Sequence, residues 1–225
     1  MEHGGGHEIG AHKIFEMAGL QFHIDTLIMT WITMAIVAVV VIGCTRKLSI
    51  IPGGMQNFVE MLVEPIISQV DSTVGKKGQR IIPIVVTVFL FVLFSDLLGL
   101  FPTMTSPTAD INTTFGLAIL VITLVHVYGV ADKGPKYFLH FFQPNPAFVL
   151  LHIMDNLSRP LTMAFRLFGN IISHEILMIV LLALVPFIVP SAILFLGLFI
   201  GVIQAAIFTI LSITYMSEGL RDDEH

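Results

Sequence analysis

The stretch from Asp155 to Glu175 sets two arginines, two asparagines, a histidine and a glutamate among Leu, Ile, Met and Phe. At about 100° per residue, a helix aligns Asp155, Arg159, Thr162, Arg166, Asn170 and Ser173 on one face. Their spacings are 4, 3, 4, 4 and 3. Asp155 lies one turn before Arg159, a favourable (i, i+4) pair. Arg159 therefore reads either as a paired residue near a helix start, with Pro160 as a first-turn proline or kink, or as part of a functional stripe. Arg166 is harder to explain away. It lies five residues inside an apolar run, with no acid three or four residues to either side. A charge at mid-membrane costs roughly 2.5–3.5 kcal/mol on insertion scales, and a guanidinium does not escape by deprotonating. Its anion is expected on another subunit or a substrate. The alternative is an arginine satisfied by backbone carbonyls or by a remote acid such as Asp96.

Glu175 lies nine residues beyond Arg166. That is about 13.5 Å along a helix and roughly the opposite face, so the two form no salt bridge within it. A carboxyl that takes and releases a proton in a water-lined cavity suits ion relay. His174 beside it titrates near neutral pH when unperturbed. It reads either as a relay or as a hydrogen-bonded packing residue. Gln204 is the main polar interruption of the last apolar run and could bond to the preceding helix. Thr209, Ser212 and Thr214 can return their hydroxyls to their own backbone. Asp110 and Asn112, in Pro107-Thr108-Ala109-Asp110-Ile111-Asn112, either cap a helix or line an outer water path.

Other chemistries lack their motifs. An intramembrane metalloprotease needs His-Glu-x-x-His. Met178 stands where the second histidine should follow His174-Glu175, and Ala11 where it should follow His7-Glu8. No Gly-x-Ser-x-Gly nucleophile motif and no Walker motif occurs. The single cysteine, Cys44, excludes an internal disulfide and a Cys-based zinc site. Val41-Ile42-Gly43-Cys44 resembles a lipoprotein cleavage box, but on the wrong side for the topology below. His3, His7 and His12 could bind metal in a glycine-rich tail, or simply be solvated.

The elements that must hold these residues are membrane helices. Of 225 residues, 55% are hydrophobic and 12% charged, about half the charge of a soluble domain. Mean hydropathy is +0.89. The net charge of −5 argues against nucleic acid. Apolar stretches at Thr26–Cys44, Ile81–Phe101, Ile111–Ala131, Leu161–Val185 and Pro190–Ser217 predict five transmembrane helices. Pro186 and Pro190 predict a tight turn between the last two. Residues 54–74 alternate Phe58, Leu62, Ile66 and Val70 with Asn57, Glu60, Glu64 and Asp71. That pattern predicts an amphipathic interfacial helix, either an anchor or a contact for a partner. The fold expected is all-α, a single membrane domain.

Basic residues set the orientation. Segment 46–80 holds Arg46, Lys47, Lys76, Lys77 and Arg80, and segment 132–147 holds Lys133 and Lys136. The loops between carry none. The amino terminus is therefore expected outside and the carboxyl terminus in the cytoplasm. A self-contained transporter would show inverted repeats and more spans, and neither is apparent.

Arg159-Pro160-Leu161 through Phe165-Arg166-Leu167-Phe168-Gly169-Asn170 resembles subunit a of the rotary F-type ATP synthase. Glu175, Gln204-Ala205-Ala206-Ile207-Phe208 and Pro107-Thr108-Ala109-Asp110-Ile111-Asn112-Thr113-Thr114 extend the likeness over nearly the whole chain, in the family's order. The short length and acidic tail look like a bacterial member. The resemblance implies a non-catalytic stator in the cell membrane, bound to a c-subunit ring, to peripheral-stalk b subunits and to the rest of the synthase. No cofactor or metal is expected. Two offset aqueous half-channels would carry protons or Na⁺ to and from ring carboxylates. Helices near 148–185 and 190–217 would be long and tilted along the ring. Arg166 looks like the essential arginine, and Asn170, Glu175 and Gln204 like channel residues, with Ser173 and His174 beside them. Asp110 and Asn112 would match the outer approach. One position departs from some members: Gly197, seven residues before Gln204, stands where they carry histidine. A relay that needs that histidine would fall to His174.

Overall fold

The computed structural model describes residues 14–17, 20–46, 53–101, 104–134, 137, 148–184 and 189–220. Among the described residues six α-helices carry the fold: α1 (Ile24–Thr45), α2 (Met55–Val74), α3 (Ile82–Leu98), α4 (Ile111–Lys133), α5 (Phe148–Leu184) and α6 (Val189–Leu220). Four of them are long and apolar enough to cross a membrane. α3 is apolar except for Thr87, Ser95 and Asp96, and is only 17 residues long. It meets the segment before it at a 115° bend, and counting it gives five spans. The chain is thus an all-α integral membrane protein. A short antiparallel hairpin, Ile14–Met17 with Leu20–His23, precedes α1. This region was expected to be plain tail. The tight turn expected at Pro186 and the histidines of the amino-terminal tail lie outside the described residues.

α2 follows its predicted amphipathic pattern. Ile66 and Val70 are buried in the core, while Glu60, Glu64 and Asp71 are exposed. Gly75 ends the helix at φ 70°, a conformation costly for any residue with a Cβ. A 3₁₀ turn over Gly75–Arg80 then redirects the chain into α3. α3 is apolar on every side from Ile82 to Phe94 apart from Thr87, and such helices are buried. Val85, Leu90 and Val92 at its centre are almost fully enclosed.

α5 and α6 contain 37 and 32 residues. At 1.5 Å per residue these are about 55 and 48 Å, well beyond roughly 30 Å of hydrocarbon. Such helices must tilt, bend or project from the bilayer. Pro160 lies well inside α5, so it is not a first-turn proline. Cys44 is buried in the last turn of α1, within a continuous helix.

Candidate functional site

α6 carries glycines one turn apart, Gly197 and Gly201. Small residues at this spacing let neighbouring membrane helices approach. A Cβ on Gly197 would lie 2.3 Å from His174 Nε2 and 2.6 Å from Leu100 Cδ2. One on Gly201 would lie 3.2 Å from Asp96 Cβ. The glycines thus admit side chains from α5 and from α3. His174 Nε2 also lies 3.4 Å from the Ile193 carbonyl oxygen.

Between these helices lies a cavity lined by Asp96, Asn170, His174, Glu175, Gly197 and Gly201, among others. Its free volume of about 20 Å³ admits about one water molecule. Asn170, His174 and Glu175 are half-buried on its wall. Asp96 was weighed from sequence only as a remote partner for Arg166. It is instead buried here, where its Oδ1 accepts a 3.1 Å bond from the Thr108 hydroxyl. Its Oδ2 has no hydrogen-bond partner among the described residues.

Arg166 lies elsewhere. It is exposed, as are Thr162 one turn before it and Ser173 two turns after it. Glu175 lines the cavity instead, together with Asn170 one turn beyond Arg166. Arg166 makes no hydrogen bond or ion pair among the described residues. No bond to Asp96 exists, and none to a backbone carbonyl. Around it, α5 and α6 expose apolar side chains along their length, including Leu157, Phe165, Leu177, Phe199, Ile203 and Ile210. The guanidinium is a lone charge on an apolar wall.

Ser173 donates to the Gly169 carbonyl at 2.6 Å. Gln204 is buried, and its Nε2 lacks a partner. No hydrogen bond from it to α5 is present among the described residues. A buried amide so placed costs about 1–3 kcal/mol until something answers it.

Arg159 is paired, and more fully than the sequence indicated. Its guanidinium bonds both Asp155 and Glu218 and lies 4.8 Å from the centre of the Tyr215 ring. It ties α5 to the far end of α6.

Asp110 and Asn112 form a separate cluster at the start of α4. Asp110 caps the helix, accepting from the Asn112 backbone N–H at 2.9 Å and its side-chain Nδ2 at 3.1 Å. Its other oxygen takes the Thr26 hydroxyl at 3.0 Å and lies 2.6 Å from His23 Nδ1. Burial alone pushes this carboxyl up. The bonds from Asn112, His23 and Thr26, with the charge of His23, outweigh it and hold it below the ordinary carboxylate value. His23 and Thr26 carried no signal in the sequence, because their partner is more than 80 residues away.

The family described as ATP synthase A chain matches residues 27–217. A protein of Desulforamulus reducens named ATP synthase subunit a is 42% identical, over 92% of this chain and 83% of its own. Proteins of the same name from Moorella thermoacetica and Geobacter sulfurreducens are 37% and 36% identical. These alignments cover 91% and 88% of this chain, and 94% and 88% of the relatives. A helical membrane chain matched over most of its length in this way belongs to the ATP synthase A chain family.

Proposed function

We propose that this chain, as subunit a of the Fo sector, is the stator of a rotary motor. It carries protons, or Na⁺, between two offset half-channels and the carboxylates of a c-subunit ring. The observation that carries the reading is Arg166, a guanidinium on the exposed face of α5 with no hydrogen-bond or ion-pair partner among the described residues. A charge so placed needs an anion from outside the chain. A ring carboxylate arriving there would be held ionised. At 4 Å and an effective dielectric near 20 the attraction is about 4 kcal/mol, less the cost of desolvation. The same fixed charge repels cations and blocks a direct leak between half-channels.

The cavity holding Asn170, His174 and Glu175 serves the relay, with His174 in the space in front of Gly197. The orphaned Gln204 amide offers a donor to water or to a passing carboxyl group. Asp110 and Asn112 mark the outer approach, and Ser173 the wall facing the ring. A proton entering from outside neutralises the ring carboxylate, which rotates into lipid and releases it on the cytoplasmic side after nearly a full turn. The membrane potential contributes about 2.3 kcal/mol per charge per 100 mV. Orientation follows the basic loops, with the amino terminus outside a bacterial cell membrane. The bond from Lys77 to Asp132, 2.9 Å, supports both basic loops lying at one end of the bundle. Peripheral-stalk b subunits complete the stator.

Cross-linking in the assembled synthase tests the reading. Thr162→Cys lies one turn from Arg166 on the same exposed face. It is expected to form disulfides with cysteines placed beside the ring carboxylate, whereas Val39→Cys on α1 is not. Cross-linking from Val39 and none from Thr162 would overturn the proposed face.

A further inference from the structure

The geometry points to Asp96 as a further proton-exchanging residue of the ion path, loading and unloading its carboxyl through the cavity it shares with His174 and Glu175. This rests on the stator reading above. Asp96 is nearly fully buried, and no cation pairs with it among the described residues. One oxygen is anchored and the other has no partner. The titratable groups lining the cavity are Asp96 from α3 and His174 and Glu175 from α5. From α6 come only Gly197, Ile200 and Gly201. The 3₁₀ turn Pro107–Ala109 and its N-cap Ser106 add uncharged hydroxyls, while its C-cap Asp110 is held by Asn112, His23 and Thr26.

The anchor counts hydrogens. Ser106 Oγ lies 2.9 Å from the Ser95 carbonyl oxygen and 2.7 Å from Thr108 Oγ1. Thr108 Oγ1 in turn lies 3.1 Å from Asp96 Oδ1. Three contacts share the two hydroxyl hydrogens of Ser106 and Thr108. With Asp96 ionised, Thr108 donates to it, and Ser106 cannot serve both Ser95 and Thr108. A proton on the carboxyl removes the shortage. Asp96 then donates to Thr108, Thr108 to Ser106, and Ser106 to Ser95. The same heavy atoms therefore accommodate both states, which differ by one proton taken from, or returned to, cavity water. A purely structural pin needs only one of them.

The test is ATP-driven proton pumping across pH by inverted vesicles holding the assembled synthase. Asp96→Asn keeps the size and the hydrogen bond to Thr108 but cannot exchange a proton. It is expected to pump several-fold more slowly and to lose a step of the wild-type pH profile. Wild-type pumping at every pH would overturn the inference. If Asp96→Asn does not assemble, Thr108→Val decides, since it keeps the carboxyl and removes its anchor. A displaced pH profile supports the exchange, and a profile superimposable on wild type overturns it. Arg166→Ala is run in parallel. Loss in that variant with normal Asp96→Asn refutes only the role of Asp96, whereas normal pumping by Arg166→Ala refutes the stator reading itself.

Discussion

The imidazole of His174 fills the space that a side chain on Gly197 would occupy, its Nε2 only 2.3 Å from where a Cβ would stand. One helix supplies the ring and the other supplies the vacancy. Two positions 23 apart in sequence thus act as one packing unit in the wall of the cavity.

Gly197→Ala is therefore expected to push His174 out of place. Overpacking of this kind typically costs about 1–3 kcal/mol. Thermal unfolding of the purified complex should show the loss, and proton pumping should fall with it. Replacing His174 by Gly in the same variant should restore part of the stability, the contact with Leu100 Cδ2 at 2.6 Å remaining. No change on Gly197→Ala would mean that the ring and the glycine do not meet.

Asp110 gives a pH dependence with a definite sign. Its folded carboxyl is held below the ordinary value, so the stability it contributes is fully present above about pH 4. It is lost as pH falls through the depressed folded value. Asp110→Asn should lower thermal stability at neutral pH and flatten the acid limb of the stability profile. An unchanged acid limb would show that the bonds from His23 and Thr26 carry no energy.

Arg159 should prove structural. Its partners Asp155 and Glu218 are about half exposed, and exposed pairs contribute about 0–1 kcal/mol. The contact with Tyr215 adds about 0.5–1 kcal/mol. Arg159→Gln is expected to lower stability modestly while coupled proton transport persists. Complete loss of transport in a fully assembled complex would give this residue a share in the ion path.

Much of this was legible in one sequence, for physical reasons. Apolar length marked α1, α4 and α6, because each had to cross oil without charge. The three-and-four spacing marked α2. What periodicity does not carry is contact between distant segments. Asp96 looked like a lone interruption, because its anchor, Thr108, arrives only after the chain has turned. His23 and Thr26 meet Asp110 across more than 80 residues. The hairpin at 14–23 is too short for its alternation to stand out from a tail.

Glu175→Gln should slow passive proton flux into vesicles, but less severely than Arg166→Ala. Glu175 shares its cavity with Asn170, His174 and one enclosed water volume, so other groups can cover for it. Equal and complete loss would make Glu175 as indispensable as the arginine.

The central claim is that Arg166 answers an anion on a moving neighbour. The direct measurement is ATP synthesis driven by an imposed ion gradient in vesicles carrying the complete synthase with Arg166→Ala. No synthesis is expected, while the soluble head, once detached, still hydrolyses ATP. Normal gradient-driven synthesis by that variant would contradict it.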